Sequence, residues 1–156
     1  MWPSRMPLAL AACMLVLVSA PAALAQETAE APLAVGVVAP HFEINTLEGT
    51  PVKLSDWYGR VVVLNFFMTS YKGTAEHLQV TETLATKYAT AGLKVLSISL
   101  QPGETGPATT KSLVDEHEIA HPVAADPDQK IARIYGVYVP LPAIFVIGRA
   151  GEIVSY

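Results

Sequence analysis

Thr74 and His77 stand three residues apart at the head of a segment with helical periodicity. That spacing puts a hydroxyl and an imidazole on one helix face. Such a pair can make a nucleophile when a third group orients the base. No orienting acid is evident in the sequence. The simpler reading is local: Thr74 is the helix N-cap, and His77 at the third helical position completes half of a capping box. His77, His117 and His121 also raise the question of a metal. His117 and His121 fit ligand spacing only on a helix that reaches His121, and Pro122 disfavours helical backbone at the residue before it. Met68 is the only nearby soft side chain. These are therefore read as surface histidines, with no metal and no cofactor expected. Gly103-Glu104-Thr105-Gly106 lacks the Lys-Ser/Thr of a phosphate-binding loop and reads as a connection. Thiol chemistry is more restricted still, because the chain has a single cysteine, Cys13.

The chain has 156 residues, of which 51% are hydrophobic, and a net charge of −4. That length suits one domain. Its mean hydropathy of +0.37 comes largely from the first 25 residues. Arg5, an apolar run over residues 6–20 and Ala23-Leu24-Ala25 ahead of Gln26 have the pattern of a secretory signal peptide. Residues 26–34 read as a linker and residues 35–156 as the domain. Leu10-Ala11-Ala12-Cys13 offers an alternative, a lipobox through which Cys13 would be acylated and the protein anchored to a membrane. Otherwise no membrane association is expected. Removal of Arg5 with the leader makes the charge more negative. An acidic balance disfavours nucleic acid as a partner.

Within the domain, alternating residues over 41–45 and 51–54 around Leu47-Glu48-Gly49-Thr50 predict a β-hairpin. Residues 54–59 predict a short helical turn, with Trp57 and Tyr58 packed under the hairpin. Val61-Val62-Val63-Leu64-Asn65-Phe66-Phe67 is a continuous run of the kind found in a strand buried on both faces. A helix is predicted over 74–90, a strand over 93–100, a loop over 101–107 and a helix over 108–119. A short strand at 122–125 precedes a helix starting at Pro127, the favoured first position, and running to Tyr135. The acids of Asp126-Pro127-Asp128 favour its N-terminus electrostatically. Strands at 143–147 and 152–155 flank the turn Arg149-Ala150-Gly151. Strands alternating with helices and closing in a hairpin predict an α/β domain with a mixed sheet.

Several motifs in order resemble one family. Gly36-x-x-Ala39-Pro40-His41-Phe42, Leu47-Glu48-Gly49, Val52-x-Leu54-Ser55-Asp56 and Gly59-Arg60-Val61-Val62-Val63-Leu64-Asn65-Phe66 resemble the start of secreted thioredoxin-like proteins, the TlpA/ResA and AhpC/TSA redoxin group. Lys94-Val95-Leu96-Ser97-Ile98-Ser99 resembles their second central strand. Tyr135-Gly136-Val137, Leu141-Pro142-Ala143-Ile144-Phe145-Val146-Ile147 and Gly151-Glu152-Ile153-Val154 resemble the end of the domain. The resemblance implies a thioredoxin-like fold: a mixed central sheet flanked by helices, with an N-terminal β-hairpin.

Family members exchange disulfides through Cys-x-x-Cys or reduce peroxides through one cysteine. Here Phe66-Phe67-Met68-Thr69-Ser70 stands where the dithiol is normally preceded by aromatic residues, so the two cysteine positions fall on Tyr71 and Thr74. A phenol cannot form a mixed disulfide, and threonine is a far weaker nucleophile than a thiolate. Pro142 resembles the family's cis-proline, and the backbone of the residue before it, Leu141, would pair with an extended substrate. Main-chain pairing needs an open strand edge and no sulfur. The resulting expectation is a redox-inactive module that binds an extended peptide or protein, with Leu141, Pro142, Tyr71 and Met68 as binding residues. The alternative is a thiol-disulfide oxidoreductase or peroxiredoxin-type protein, seen as a fragment or working with a cysteine-bearing partner. Members of this group continue into a C-terminal helix over one sheet face, whereas this sequence stops at Tyr156. A shortened domain is therefore expected, with an exposed apolar patch built from residues 61–67 and 143–147.

Overall fold

A computed structural model describes residues 33–138 and 140–156. The predicted leader, Cys13 and all but the end of the linker lie outside the described residues. A five-stranded sheet in the order β5-β4-β3-β6-β7 organises the domain. Its centre is β3 (Val62–Phe67), every residue of which is buried. β4 (Lys94–Ser99) and β5 (Val123–Ala125) follow it in parallel, while β6 (Ala143–Ile147) runs antiparallel to β3 and β7 (Ile153–Ser155) antiparallel to β6. The helical crossovers between the parallel strands are α1 (Thr74–Lys87) and α2 (Gly106–Glu116). The mixed α/β sheet expected from the sequence is thus present. A separate hairpin, β1 (Glu43–Asn45) and β2 (Pro51–Lys53), touches the β5 edge: Thr46 bridges Ala124, and the Leu47 N–H bonds to the Val123 carbonyl at 2.8 Å.

The two sheet faces differ because side chains alternate along a strand. Val62, Leu64 and Phe66 of β3 and Leu96 and Ile98 of β4 enter one large apolar core with Tyr135, Phe145 and Ile153. Phe66, Tyr135 and Phe145 meet there with centroids 5.4 to 5.8 Å apart, in tilted and edge-to-face arrangements. The opposite face carries Asn65, Ser97 and Ser99, all fully buried. Its apolar cluster is correspondingly small: Phe67, Leu78, Val114, Ile119 and Val123. Buried polar groups must be hydrogen-bonded, and Thr110 meets Ser99 in this way at 2.8 Å.

Several expectations need correction. α2 begins at Gly106, where a side chain would run into the Gln101 carbonyl, so the Gly/Pro segment opens the helix instead of ending as a loop. Pro127 does not start a helix. α3 spans Lys130–Ile134, because Asp126 turns back and caps it directly. The buried Asp126 carboxylate accepts the N–H groups of Lys130, Ile131 and Ala132 at 2.8 to 3.1 Å. Tyr58 does not pack under the hairpin. It is 52% exposed, and its hydroxyl meets His41 Nε2 at 2.7 Å. The apolar patch is narrower than expected, since α1 covers β3. Exposure is concentrated at Ile144 of β6 and at Val80, Leu84 and Tyr88 beside it, around a shallow groove.

The Asp126 cap gives a direct test. Asp126→Ala should lose about 1–2 kcal/mol of stability, the scale of a lost N-cap. Asp128→Ala should lose little, because the Asp128 carboxylate only reaches the exposed Lys130 ammonium. Urea unfolding of both variants measures the difference, and equal losses would contradict the capping role.

Candidate functional site

β3 and β6 are antiparallel neighbours, with Phe66 opposite Ala143. The end of β3 and the start of β6 therefore lie at the same end of the sheet. This register brings the loop 68–73 against Leu141 and Pro142, and the two segments enclose a pocket of about 350 Å³. Tyr71, Thr74, Met68, Leu141 and Pro142, the residues singled out from the sequence, all line it. The Leu141–Pro142 peptide bond is cis. Among the described residues, no backbone group pairs with the N–H or C=O of Leu141.

The two positions that the resemblance matches to the family's cysteines differ sharply in surroundings. Tyr71 is 39% exposed, whereas Thr74 is buried. Thr74 is not the N-cap. Gly73 takes that place with φ 87°, a left-handed conformation that glycine adopts without strain. Thr74 instead starts the helix, and its hydroxyl lies 2.8 Å from both the Met68 and Tyr71 carbonyls. It ties the loop to the helix, and its hydrogen is committed to backbone oxygen. Nor does His77 complete a capping box or pair with Thr74. Its Nε2 lies 2.8 Å from Asn65 Oδ1.

That contact opens a buried polar chain. Asn65 Nδ2 donates to Ser97 Oγ at 3.1 Å, and Ser97 Oγ lies 2.8 Å from His121 Nε2. His121 Nδ1 lies 2.7 Å from Glu82 Oε2, which also accepts the Ala120 and His121 backbone N–H groups. The chain runs from the pocket, across β3 and β4, to the far side of α1. His121 is therefore buried, and His77 is half-buried; neither is the surface histidine expected. Sequence reading passed over Asn65, Ser97 and Glu82. The available signal was a lone amide inside an apolar strand, since such a group needs a polar partner across the sheet. α2 ends at Glu116, short of His121, so His117 and His121 do not share a helix face.

Burial shapes the ionisation of this chain. It lowers the pKa of His77. It also lowers that of His121, against an opposing pull from the Glu82 carboxylate. For Glu82, burial raises the pKa, but the His121 backbone and ring hydrogen bonds, the His121 charge and the Ala120 N–H outweigh it. In the unfolded chain the imidazoles take up protons as the pH drops below about 6.5, while the folded ones still resist. Their contribution to stability is complete above that value and is lost as the pH falls through it toward the lowered folded values. The urea midpoint should therefore be higher at pH 7.5 than at pH 5.5, and His77→Gln/His121→Gln should flatten the difference. A midpoint unchanged by pH in the unmodified protein would contradict this account.

Known proteins share this architecture. Residues 35–156 match the AhpC/TSA family model. Over 128 residues the chain is 34% identical to thiol-disulfide oxidoreductase ResA of Bacillus thuringiensis subsp. konkukian, covering 82% of this chain and 72% of that protein. It is 36% identical over 121 residues to ResA of Bacillus anthracis, covering 78% and 68%. A crystal structure from Chlorobium tepidum, assigned as thiol:disulfide interchange protein DsbE, superposes with a TM-score of 0.71 at 28% identity, covering 79% of this chain and 84% of that one. The thioredoxin domain of a Bacteroides vulgatus thiol-disulfide oxidoreductase shares the fold at a TM-score of 0.69 and 21% identity, with 79% and 87% covered. With a thioredoxin-like sheet and a family match over most of its length, this chain belongs to the AhpC/TSA family.

Proposed function

We propose that this protein is an exported thioredoxin-like module that binds an extended peptide or protein segment beside Leu141 and carries out no disulfide exchange of its own. The observation that carries the proposal is the pocket itself. It keeps a backbone edge at Leu141 that no described residue pairs, while the buried Thr74 hydroxyl is committed to two loop carbonyls and Tyr71 fills the more exposed position. An incoming strand gains main-chain hydrogen bonds at such an edge whatever its sequence, and side-chain pockets supply the selectivity. Met68 and Tyr71 offer apolar surface for that purpose, and Pro142 stiffens the edge. Residues 26–156 contain no cysteine, so no mixed disulfide can form on them. Export is supported by the leader-like pattern before Gln26. Anchoring through Cys13 is the membrane-bound form of the same proposal.

A second reading is favoured by the similarity to ResA proteins of Bacillus, which are thiol-disulfide oxidoreductases. The chain would then assist a redox reaction by holding a cysteine-bearing partner at the same edge.

Two measurements test the edge-binding proposal. The purified protein should show no insulin-disulfide reduction above buffer, while Tyr71→Cys/Thr74→Cys should acquire turnover if the loop retains the family's geometry. Turnover by the unmodified protein would overturn the binding-module reading. On an array of extended peptides, Leu141→Pro, which removes one backbone donor, should weaken binding by about tenfold. Unchanged binding would remove Leu141 from the site.

A further inference from the structure

The polar chain beneath the pocket has a direction, and it is set at Glu82. An ionised carboxylate can only accept hydrogen bonds. His121 Nδ1, 2.7 Å from Glu82 Oε2, therefore carries the hydrogen, and in the neutral ring Nε2 is an acceptor. The Ser97 hydroxyl, 2.8 Å away, donates to it. With its hydrogen committed, Ser97 Oγ can only accept from Asn65, which turns its NH₂ toward Ser97 at 3.1 Å. The Asn65 carbonyl then faces His77 Nε2 at 2.8 Å, so Nε2 must hold the hydrogen. Reversing Asn65 would set two acceptors against each other at Ser97 unless His121 were protonated, and burial opposes that protonation.

What remains is His77 Nδ1, with a bare lone pair. No buried side-chain nitrogen or oxygen among the described residues lacks a partner. His77 Nδ1 has no partner among them, so it is open to solvent. His77 lines the pocket together with Tyr71, Lys72 and Leu141, and stands between it and the groove beside Ile144.

We infer that the chain from Glu82 to His77 fixes His77 as its Nε2–H tautomer and presents Nδ1 to the pocket as an acceptor, selecting a ligand that brings a neutral O–H or N–H donor beside the Leu141 edge. Lys72 on the same wall repels a cationic donor, which leaves the hydroxyl of Ser, Thr or Tyr and the amide of Asn or Gln as the matching side chains. A carboxylate brings no hydrogen to share with Nδ1. His77 is the contact residue, and Glu82, His121, Ser97 and Asn65 position it. The inference rests on the edge-binding reading of this pocket.

The test has two arms. In ¹⁵N-labelled protein at pH 7.5, long-range ¹H–¹⁵N correlations should show the hydrogen of His77 on Nε2. Glu82→Ala, which takes away the acceptor of His121 Nδ1, should turn this into a mixture of tautomers. A change in stability alone would leave the tautomer where it is. In calorimetry with blocked pentapeptides Ala-Val-X-Val-Ala, X = Thr should bind about three- to tenfold more tightly than its isostere Val, the worth of one neutral hydrogen bond. His77→Phe should erase the Thr preference, and Glu82→Ala should reduce it. Equal binding of Thr and Val peptides by the unmodified protein would overturn the inference and leave the edge-binding reading standing. Failure of every peptide to bind would overturn the edge-binding reading and the inference with it. A His77 hydrogen found on Nδ1 would overturn the inference whatever the peptides do.

Discussion

An amide in the middle of a strand buried on both faces must find its hydrogen bonds inside the protein, and Asn65 is that amide. Leaving such a group unpaired costs about 1–3 kcal/mol. The parallel register sets Asn65 beside Ser97 on the same face of the sheet. Each polar neighbour then requires the next, until the series ends at Glu82, whose carboxylate is partly exposed at the far side of α1. The placement of α1, the loop over 117–122 and the central strands is thus held by one continuous set of hydrogen bonds. The larger aromatic core on the opposite face supplies apolar burial. The polar face adds directional contacts, and directional contacts determine which atom faces which.

The pocket is the other product of this arrangement. The β3–β6 register fixes where the loop after β3 meets the segment before β6. Thr74 then closes the loop by bonding two of its carbonyls. A buried threonine can do this and a thiol would do it poorly, because S–H is a weak donor. The side chains at the two positions each have a structural place of their own. Thr74 has become part of the loop's internal structure, and Tyr71 adds a rigid ring to the pocket mouth.

Much of this was readable from residue order. The apolar run from Val61 to Phe67 identified the central strand, and the motifs around Leu141 and Pro142 led to the pocket. The helix starts were less legible. Pro127 is a favoured first helical residue, yet the helix starts later because the Asp126 side chain reaches forward to three N–H groups. Thr74 is a good N-cap by type, but the left-handed Gly73 makes the turn and frees the hydroxyl for the loop. The polar chain was the least legible feature. His77 and Asn65 are twelve positions apart, and Glu82 and His121 thirty-nine, and nothing local signals that they meet.

A directed series of hydrogen bonds also limits how this sequence can drift. Each link fixes the donor or acceptor sense of the next, so a substitution that reverses one link conflicts with its neighbour even when size and polarity are preserved. Asn65→Asp illustrates the point. Two acceptor oxygens there would take the hydrogen that Ser97 gives to His121, and His121 would have to become a cation to restore the match. Homologous chains that share this face should therefore change residues 65, 77, 82, 97 and 121 as a set, or abandon the set for apolar packing. The alphabet permitted at any one of these positions is written by the other four.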